Sequence, residues 1–295
     1  MGKVYLIGAG PGDPDLLTVK AARLLARATV VLHDSLVSRE VLQLIPRETE
    51  IIDVGKRCGQ MLLTQDEINQ LLISYANRNS QRSGRSLDRS SEHSADDLTT
   101  HSEVIRLKGG DPVVFGRAGE EIEALRRANV AFEIVPGITA ALGAAAAAGI
   151  SLTDRRAASQ IVITTYSRGS EALLGQSPVA QGAVREALRP FADWASMPTG
   201  TTLILYMPGA DYAEVSRRLI EAGQPEDLSC VIVSQATTPN QQIRWTTVAT
   251  LATEARLPAP ALLIVGRVAT REIQEIAATN WRTESRAPEA HSMIS

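Results

Sequence analysis

The chain has 295 residues, 44% hydrophobic and 21% charged, with a formal net charge of −3, which suits a globular protein of one large or two medium domains. The slight acidity argues against a general nucleic-acid binder, whose footprint would be basic, and no apolar run approaches the roughly 20 residues of a membrane span. Two cysteines, Cys58 and Cys230, and four scattered histidines make neither a disulfide framework nor a metal site. The opening MGKVYL runs directly into strand-like sequence, unlike a signal peptide, and lacks the hydroxyl residue of a myristoylation motif. The expectation is a cytoplasmic enzyme in a reducing compartment.

Short β-rich runs alternate with amphipathic stretches along the chain, the pattern of an α/β protein. In chain order, strands are expected at Val4–Gly8, Thr29–His33, Glu50–Val54, Glu103–Leu107, Phe132–Val135, Gln160–Thr165, Thr201–Met207, Cys230–Ser234, Gln242–Thr246 and Ala261–Gly266. Helical patterns lie between most of them. Thr64 and Glu67 form a T-x-x-E capping box ahead of Ile68, Leu71, Leu72 and Tyr75 at helical spacing. Residues 77–102 are polar and rich in Ser and Arg, so a disordered surface loop is expected there. Within it His93, Asp96, Asp97 and His101 offer a metal-binding alternative. The alanine run Ala144–Ala148 suits a tightly packed interior helix, and the tail after Arg271 is expected to be loose.

The first strand ends in Gly8, Gly10 and Gly12. A dinucleotide-binding turn reads G-x-G-x-x-G, with an acid about 20 residues on to hold a ribose. Here the spacing is one residue short, although Asp34 ends the second strand where such an acid would stand. On these features alone an oxidoreductase remains open.

Other motifs narrow the reading. VGKRCG (54–59), RLKGGDPVVFGRAGEE (106–121), VPGITAA (135–141), LYM (205–207), ATTPNQ (236–241) and ALLIVGRV (261–268) follow YLIGAGPGDPDLLT in this order. Together they closely resemble the tetrapyrrole methylase family, over residues 3 to about 270. GAGPGDP is shared widely in that family; VGKR with RLKGGDP-x-x-FGR-x-GEE is far more particular.

The resemblance implies two α/β/α domains, not a Rossmann methyltransferase, with S-adenosylmethionine in the cleft between them. The first would span 1–112, with the insert 77–102, and the second 113–270, followed by a tail over 271–295. It implies a homodimer that methylates uroporphyrinogen III at C2 and C7 to give precorrin-2, while composition and charge lead us to expect no metal, nucleic acid or membrane partner. Asp34, in LHDSLVS, matches the family's proposed proton acceptor, and could instead cap the next turn. Lys56, in VGKR, matches a proposed proton donor, and could instead anchor a substrate carboxylate. Pro11, Gly109, Gly110, Asp111, Val114, Thr139, Ala140, Met207 and Ala236 would line the cofactor site, although Met207 also reads as core. Arg57, Arg106, Lys108 and Arg117 would meet the eight carboxylates of the substrate, with Arg155 and Arg156 as further cations.

The match departs at three places. Asp154 and Tyr166 stand where the family shows histidine, and Ser35 stands where it shows arginine. Three alternatives remain: a methylase for another tetrapyrrole or for RNA, an oxidoreductase, and a tetrapyrrole-binding protein that has lost activity.

Overall fold

The computed structural model describes residues 2–57, 60–61, 63–85, 103–166, 197–209 and 211–270. Cys58, His93, Asp96, Asp97, His101, most of the polar insert and the tail after Thr270 lie outside the described residues. The chain divides into two compact units: residues 1–143 with 235–240, and residues 144–234 with 241–295.

The first unit is built on five parallel strands in the order β3-β2-β6-β1-β7. These are β1 (Val4–Gly8), β2 (Val30–His33), β3 (Glu50–Asp53), β6 (Val104–Lys108) and β7 (Phe132–Val135). The inner strands β1, β2 and β6 are buried at every position, as expected of unbroken apolar runs covered on both faces of a parallel sheet. Alternate side chains go to opposite faces. On one face Tyr5, Ile7, Val31, Ile105 and Leu107 meet helices α1 (Val19–Leu25) and α2 (Arg39–Leu42). On the other, Val4, Leu6, Val30, Leu32 and Val104 meet α3 (Gln65–Arg85) and α4 (Ala118–Arg127). Hydroxyl caps open α1 and α2: Ala21 N donates to Thr18 Oγ1 at 3.2 Å and Val41 N to Ser38 Oγ at 3.2 Å.

The capping box before α3 is present, with Thr64 N donating to Glu67 Oε2 at 2.6 Å and Glu67 N to Thr64 Oγ1 at 3.3 Å. The helix then runs past the expected start of the insert at residue 77 and ends at Arg85. Asn, Arg, Ser and Gln lack an apolar face but hold no proline, so an established helix propagates through them. A further short pair, β4 (Lys56–Arg57) with β5 (Gln60–Met61), is antiparallel.

The first unit also runs past the expected domain limit at Pro112. Strand β7 pairs with β1, so its hydrogen bonds belong to the first sheet. Helix α5 (Ala140–Ala147) begins in this unit, and of its small residues Ala141, Ala144 and Ala145 are buried.

The second unit carries a mixed sheet in the order β11-β10-β12-β9-β8. Its strands are β8 (Gln160–Thr165), β9 (Thr201–Tyr206), β10 (Ser229–Ser234), β11 (Gln242–Thr247) and β12 (Ala261–Val265). Only β8 and β9 pair in parallel. Leu203, Leu205, Ile232, Leu263 and Val265 pack one face against α6 (Tyr212–Glu221) and α7 (Val248–Leu251).

Candidate active site

The glycine loop after β1 is not a phosphate turn. Its amides are taken up by the strand beside it: Ala9 N donates to Lys108 O at 2.7 Å, Gly10 N to Gly110 O at 3.1 Å, and Gly110 N returns to Gly10 O at 2.8 Å. No α-helix opens at the third glycine. Asp13 instead caps a short 3-10 turn at Pro14–Leu16, and α1 begins only at Val19. A dinucleotide turn needs free amides at a helix start, so the oxidoreductase alternative loses its structural basis.

The glycines have a different purpose. At the C-terminal ends of β1, β6 and β7 three backbones cross almost in contact. A Cβ on Gly8 would lie 2.6 Å from Gly110 O and from Gly137 Cα, and one on Gly137 would lie 2.3 Å from Gly110 O. Asp111 ties the same loops: Val113 N donates to its Oδ1 at 2.9 Å and Gly137 N to its Oδ2 at 3.0 Å. The 235–240 segment then closes on the first loop. Asp13 N donates to Thr237 Oγ1 at 3.1 Å, and a Cβ on Gly12 would meet Thr238 Cγ2 at 2.5 Å.

Of the residues expected around the cofactor, Pro11, Gly109, Gly110, Asp111, Val114, Thr139 and Ala236 belong to loops of the first unit, and Ala140 to the start of α5 in the same unit. Met207 belongs to the second, directly after β9, and is exposed. Backbone strain concentrates in these loops. Phe115, Arg117, Met207, Gln235 and Thr237 all hold positive φ, and Thr237, at φ 64°, is β-branched, a combination that surrounding structure must enforce. Thr237 escaped the sequence reading, and its only advance signal was membership of the ATTPNQ motif.

Asp34 closes β2 beside β6. Gly109 N donates to its two carboxylate oxygens at 3.3 and 3.4 Å, and Leu36 N donates to Oδ1 at 3.1 Å. The turn-capping alternative is thus present as geometry, but the carboxylate also reaches across to the GGD loop. Val54 N donates to His33 O at 2.9 Å, and a Cβ on Gly55 would lie 2.3 Å from Ser35 N. The chain therefore enters β4, which holds Lys56 and Arg57, directly beside Asp34 and Ser35.

Two expected substrate cations are placed elsewhere. Arg106 and Lys108 point into the unit and are 4% and 2% exposed. Both bind Glu121 of α4, Arg106 Nε at 2.9 Å and Lys108 Nζ at 2.8 Å from Oε1. Arg106 Nη1 also donates to Leu107 O at 3.1 Å. Burial, reinforced by the Arg106 guanidinium, pulls the Lys108 ammonium below the usual lysine range, against the opposing pull of Glu121 and Asp34. These side chains cannot present themselves to a ligand without breaking a buried cluster. Glu121 had a legible signal: it shares the inward stripe of α4 with Ala118 and Leu125, where a carboxylate requires buried cations.

Arg117 is exposed and makes a two-pronged pair with Glu120, at 2.8 and 2.7 Å. In the second unit, Asp154 is engaged by Arg156 at 2.9 Å, and the guanidinium holds its carboxyl down at about 2. Arg156 is thereby paired within its own turn.

A parallel sheet with motif loops crowded at its strand ends, joined to a second mixed sheet, defines a two-unit α/β protein of the methylase type. The comparisons with known proteins carry that further. Residues 3–252 match the family model of tetrapyrrole (corrin/porphyrin) methylases. A uroporphyrinogen-III C-methyltransferase of Paracoccus denitrificans (strain Pd 1222) is 43% identical, over 96% of this chain and 88% of its own. A siroheme synthase of Actinobacillus pleuropneumoniae serotype 7 (strain AP76) is 40% identical over 91% of this chain, which spans 48% of that longer protein. The crystal structure of a uroporphyrin-III C-methyltransferase from Thermus thermophilus complexed with S-adenosylhomocysteine superposes with a TM-score of 0.66. It is 35% identical, over 90% of this chain and 98% of its own. The chain belongs to the tetrapyrrole methylase family.

Proposed function

We propose that the protein is a cytoplasmic, homodimeric, S-adenosylmethionine-dependent C-methyltransferase. It methylates uroporphyrinogen III at C2 and C7 to give precorrin-2, for sirohaem or cobalamin synthesis. The observation that carries this reading is the 43% identity with the Paracoccus methyltransferase over nearly the whole of both chains.

The first-unit loops suit the cofactor. Gly110, at φ 68°, leaves room in which a Cβ would meet only Ala140 N at 3.6 Å and Thr139 Cα at 3.8 Å. Asp111 is held from both oxygens by backbone amides, so its position is set before any ligand arrives. Pro11, Gly109, Gly110, Asp111, Val114, Thr139, Ala140 and Ala236 are the first-unit residues that would hold S-adenosylmethionine. When bound, that cofactor supplies a sulfonium methyl to which an electron-rich pyrrole carbon can bond, leaving a thioether and a cationic ring.

The chain's own contribution is positioning, exclusion of water and one proton transfer. Asp34 accepts the proton that the methylated ring must lose. Its carboxylate is oriented by the Gly109 and Leu36 amides at a strand end, where open α/β sheets build their sites. Lys56 supplies a proton or holds a substrate carboxylate. With Arg106 and Lys108 buried, the propionate and acetate groups fall to Arg57 and Arg117, the latter exchanging its Glu120 partner for substrate. Leu36, Val113 and Phe115 are large apolar side chains left exposed on these loops, a surface suited to the hydrophobic part of a macrocycle.

The test is an anaerobic assay with enzymatically generated uroporphyrinogen III and methyl-labelled S-adenosylmethionine, followed by mass analysis. Two added methyls are expected. One methyl would confine the enzyme to a single ring carbon, and no transfer with cofactor still bound would assign it to another tetrapyrrole.

A further inference from the structure

The buried cluster of Arg106, Lys108 and Glu121 joins two different elements. Lys108 is the last residue of β6, and Glu121 lies in the first turn of α4. Their contact at 2.8 Å therefore closes the base of the loop 109–117, and Arg106 Nε reaches the same Oε1 at 2.9 Å. As a source of stability the cluster is poorly made. All three side chains are buried, both cations share one oxygen, and Glu121 Oε2 has no hydrogen-bond partner. Burying such charges can cost as much as their attraction returns. Ala118 and Leu125 already bury the same stripe of α4. Apolar burial is non-directional, whereas two hydrogen bonds from one strand to one oxygen fix how the helix is turned and how far it is advanced.

The loop that leads into α4 needs such a fixed end. Its first half is tied by the sheet: Gly109 N donates to Asp34 at 3.3 Å, Gly110 N donates to Gly10 O at 2.8 Å, and Asp111 accepts from Val113 N and Gly137 N. Its second half holds Phe115 at φ 53° and Arg117 at φ 55°, left-handed conformations that persist only where neighbouring structure enforces them. Arg117 is also the N-cap of α4 and gives it no side-chain cap bond. A Cβ on Gly116 would lie 2.5 Å from Pro112 O, so the turn folds back tightly on its own first half. From this arrangement we infer that Lys108 and Glu121 are positioning residues: their ion pair staples the two ends of loop 109–117 and thereby aims Phe115 and Arg117 at the tetrapyrrole. Gly109–Asp111, on the cofactor side of the loop, are set independently. The substrate part rests on the proposed function, in which Arg117 meets a substrate carboxylate.

The test is Lys108→Met, which removes the staple but leaves the Arg106–Glu121 pair, neutral overall. The chain has three phenylalanines, so labelling with 4-fluorophenylalanine gives a simple fluorine NMR spectrum of the ligand-free protein. Phe115→Leu and Phe132→Leu identify two of the signals. Phe115 reports on the loop. Phe132 lies under the guanidinium of Arg126, in the last turn of α4, and reports on the body of the helix. In Lys108→Met the Phe115 signal should shift or split while the Phe132 signal stays, and the melting temperature should change by less than about 3 °C. In turnover, KM for uroporphyrinogen III should rise roughly tenfold, and S-adenosylhomocysteine affinity by calorimetry should be unchanged. A Phe115 signal that stays, a Phe132 signal that moves with it, an unchanged KM, or equal weakening of cofactor and substrate would overturn the inference, because a merely structural cluster loosens the whole unit. Should Lys108→Met fail to fold, Glu121→Gln weakens the same contact by removing its charge and alone decides. A displaced Phe115 signal with Phe132 in place then supports the inference, and any other result overturns it. If the unmodified protein leaves uroporphyrinogen III unmethylated, the proposed function fails, and the fluorine spectra still decide the staple.

Discussion

At the scale of single residues, the absence of a side chain decides as much as its presence. Gly8 and Gly137 let two strand ends pass each other and the Gly110 carbonyl at distances no Cβ tolerates, and every atom in the way is backbone. Gly137→Ala must therefore push the GGD and PGIT loops apart, and should destabilise by about 2–3 kcal/mol. Gly119→Ala makes the opposite case. Gly119 lies within α4 with nothing within 4 Å of a new Cβ, so helix propensity should make it stabilising by about 0.5–1 kcal/mol. Urea unfolding of the two variants would show whether steric crossing, rather than glycine content, governs this region. The spacing Gly8, Gly10, Gly12 falls one residue short of the dinucleotide fingerprint and left that reading open until the structure showed the loop's amides already paired. What the glycines do instead was not legible, because Gly137 is remote in sequence from Gly8 and only the sheet brings them together.

At the scale of elements, local signals were reliable where they had a periodicity or a cap. The ten expected strands all form, the central ones as buried apolar runs and edge strands such as β11 (QIRWTT) as β-branched and aromatic residues only partly buried. The T-x-x-E box opens α3 as expected, and Thr64→Ala should lower stability by about 1 kcal/mol by freeing the amide of Glu67. Loss of helix signal by circular dichroism in step with unfolding would check it. The C-terminal end of α3 was misjudged, since polarity from residue 77 onward reads as loop, whereas the helix continues to Arg85. Composition reports whether a segment can bury surface, and a helix already nucleated and packed through Ile68, Leu72 and Ala76 does not need its last turns to do so.

At the scale of the whole molecule, the first unit is discontinuous, because it takes residues 235–240 from far along the chain. Those residues supply the Thr237 acceptor for Asp13 N and cover Gly12. A fragment of residues 1–143 is expected to melt about 5 °C below the same fragment carrying 235–240 on a flexible linker. Equal melting temperatures would mean that the segment adds no stability to the glycine loop. A boundary at Pro112 looked reasonable because the GGDP motif ends a strand, but β7 then pairs with β1 of the same sheet.

The sequence by itself determined the α/β class, the strand positions, the cap of α3 and the motifs that mark the family, because each is written in neighbouring residues or in a short repeat. Only the tertiary structure decided the fate of the charges. That Arg106 and Lys108 share one face of a strand follows from their spacing. Whether that face meets ligand or Glu121 depends on which helix covers it. A cation has the same chemistry in either place; the dielectric and the counter-charge around it are set by contacts that the linear chain does not contain.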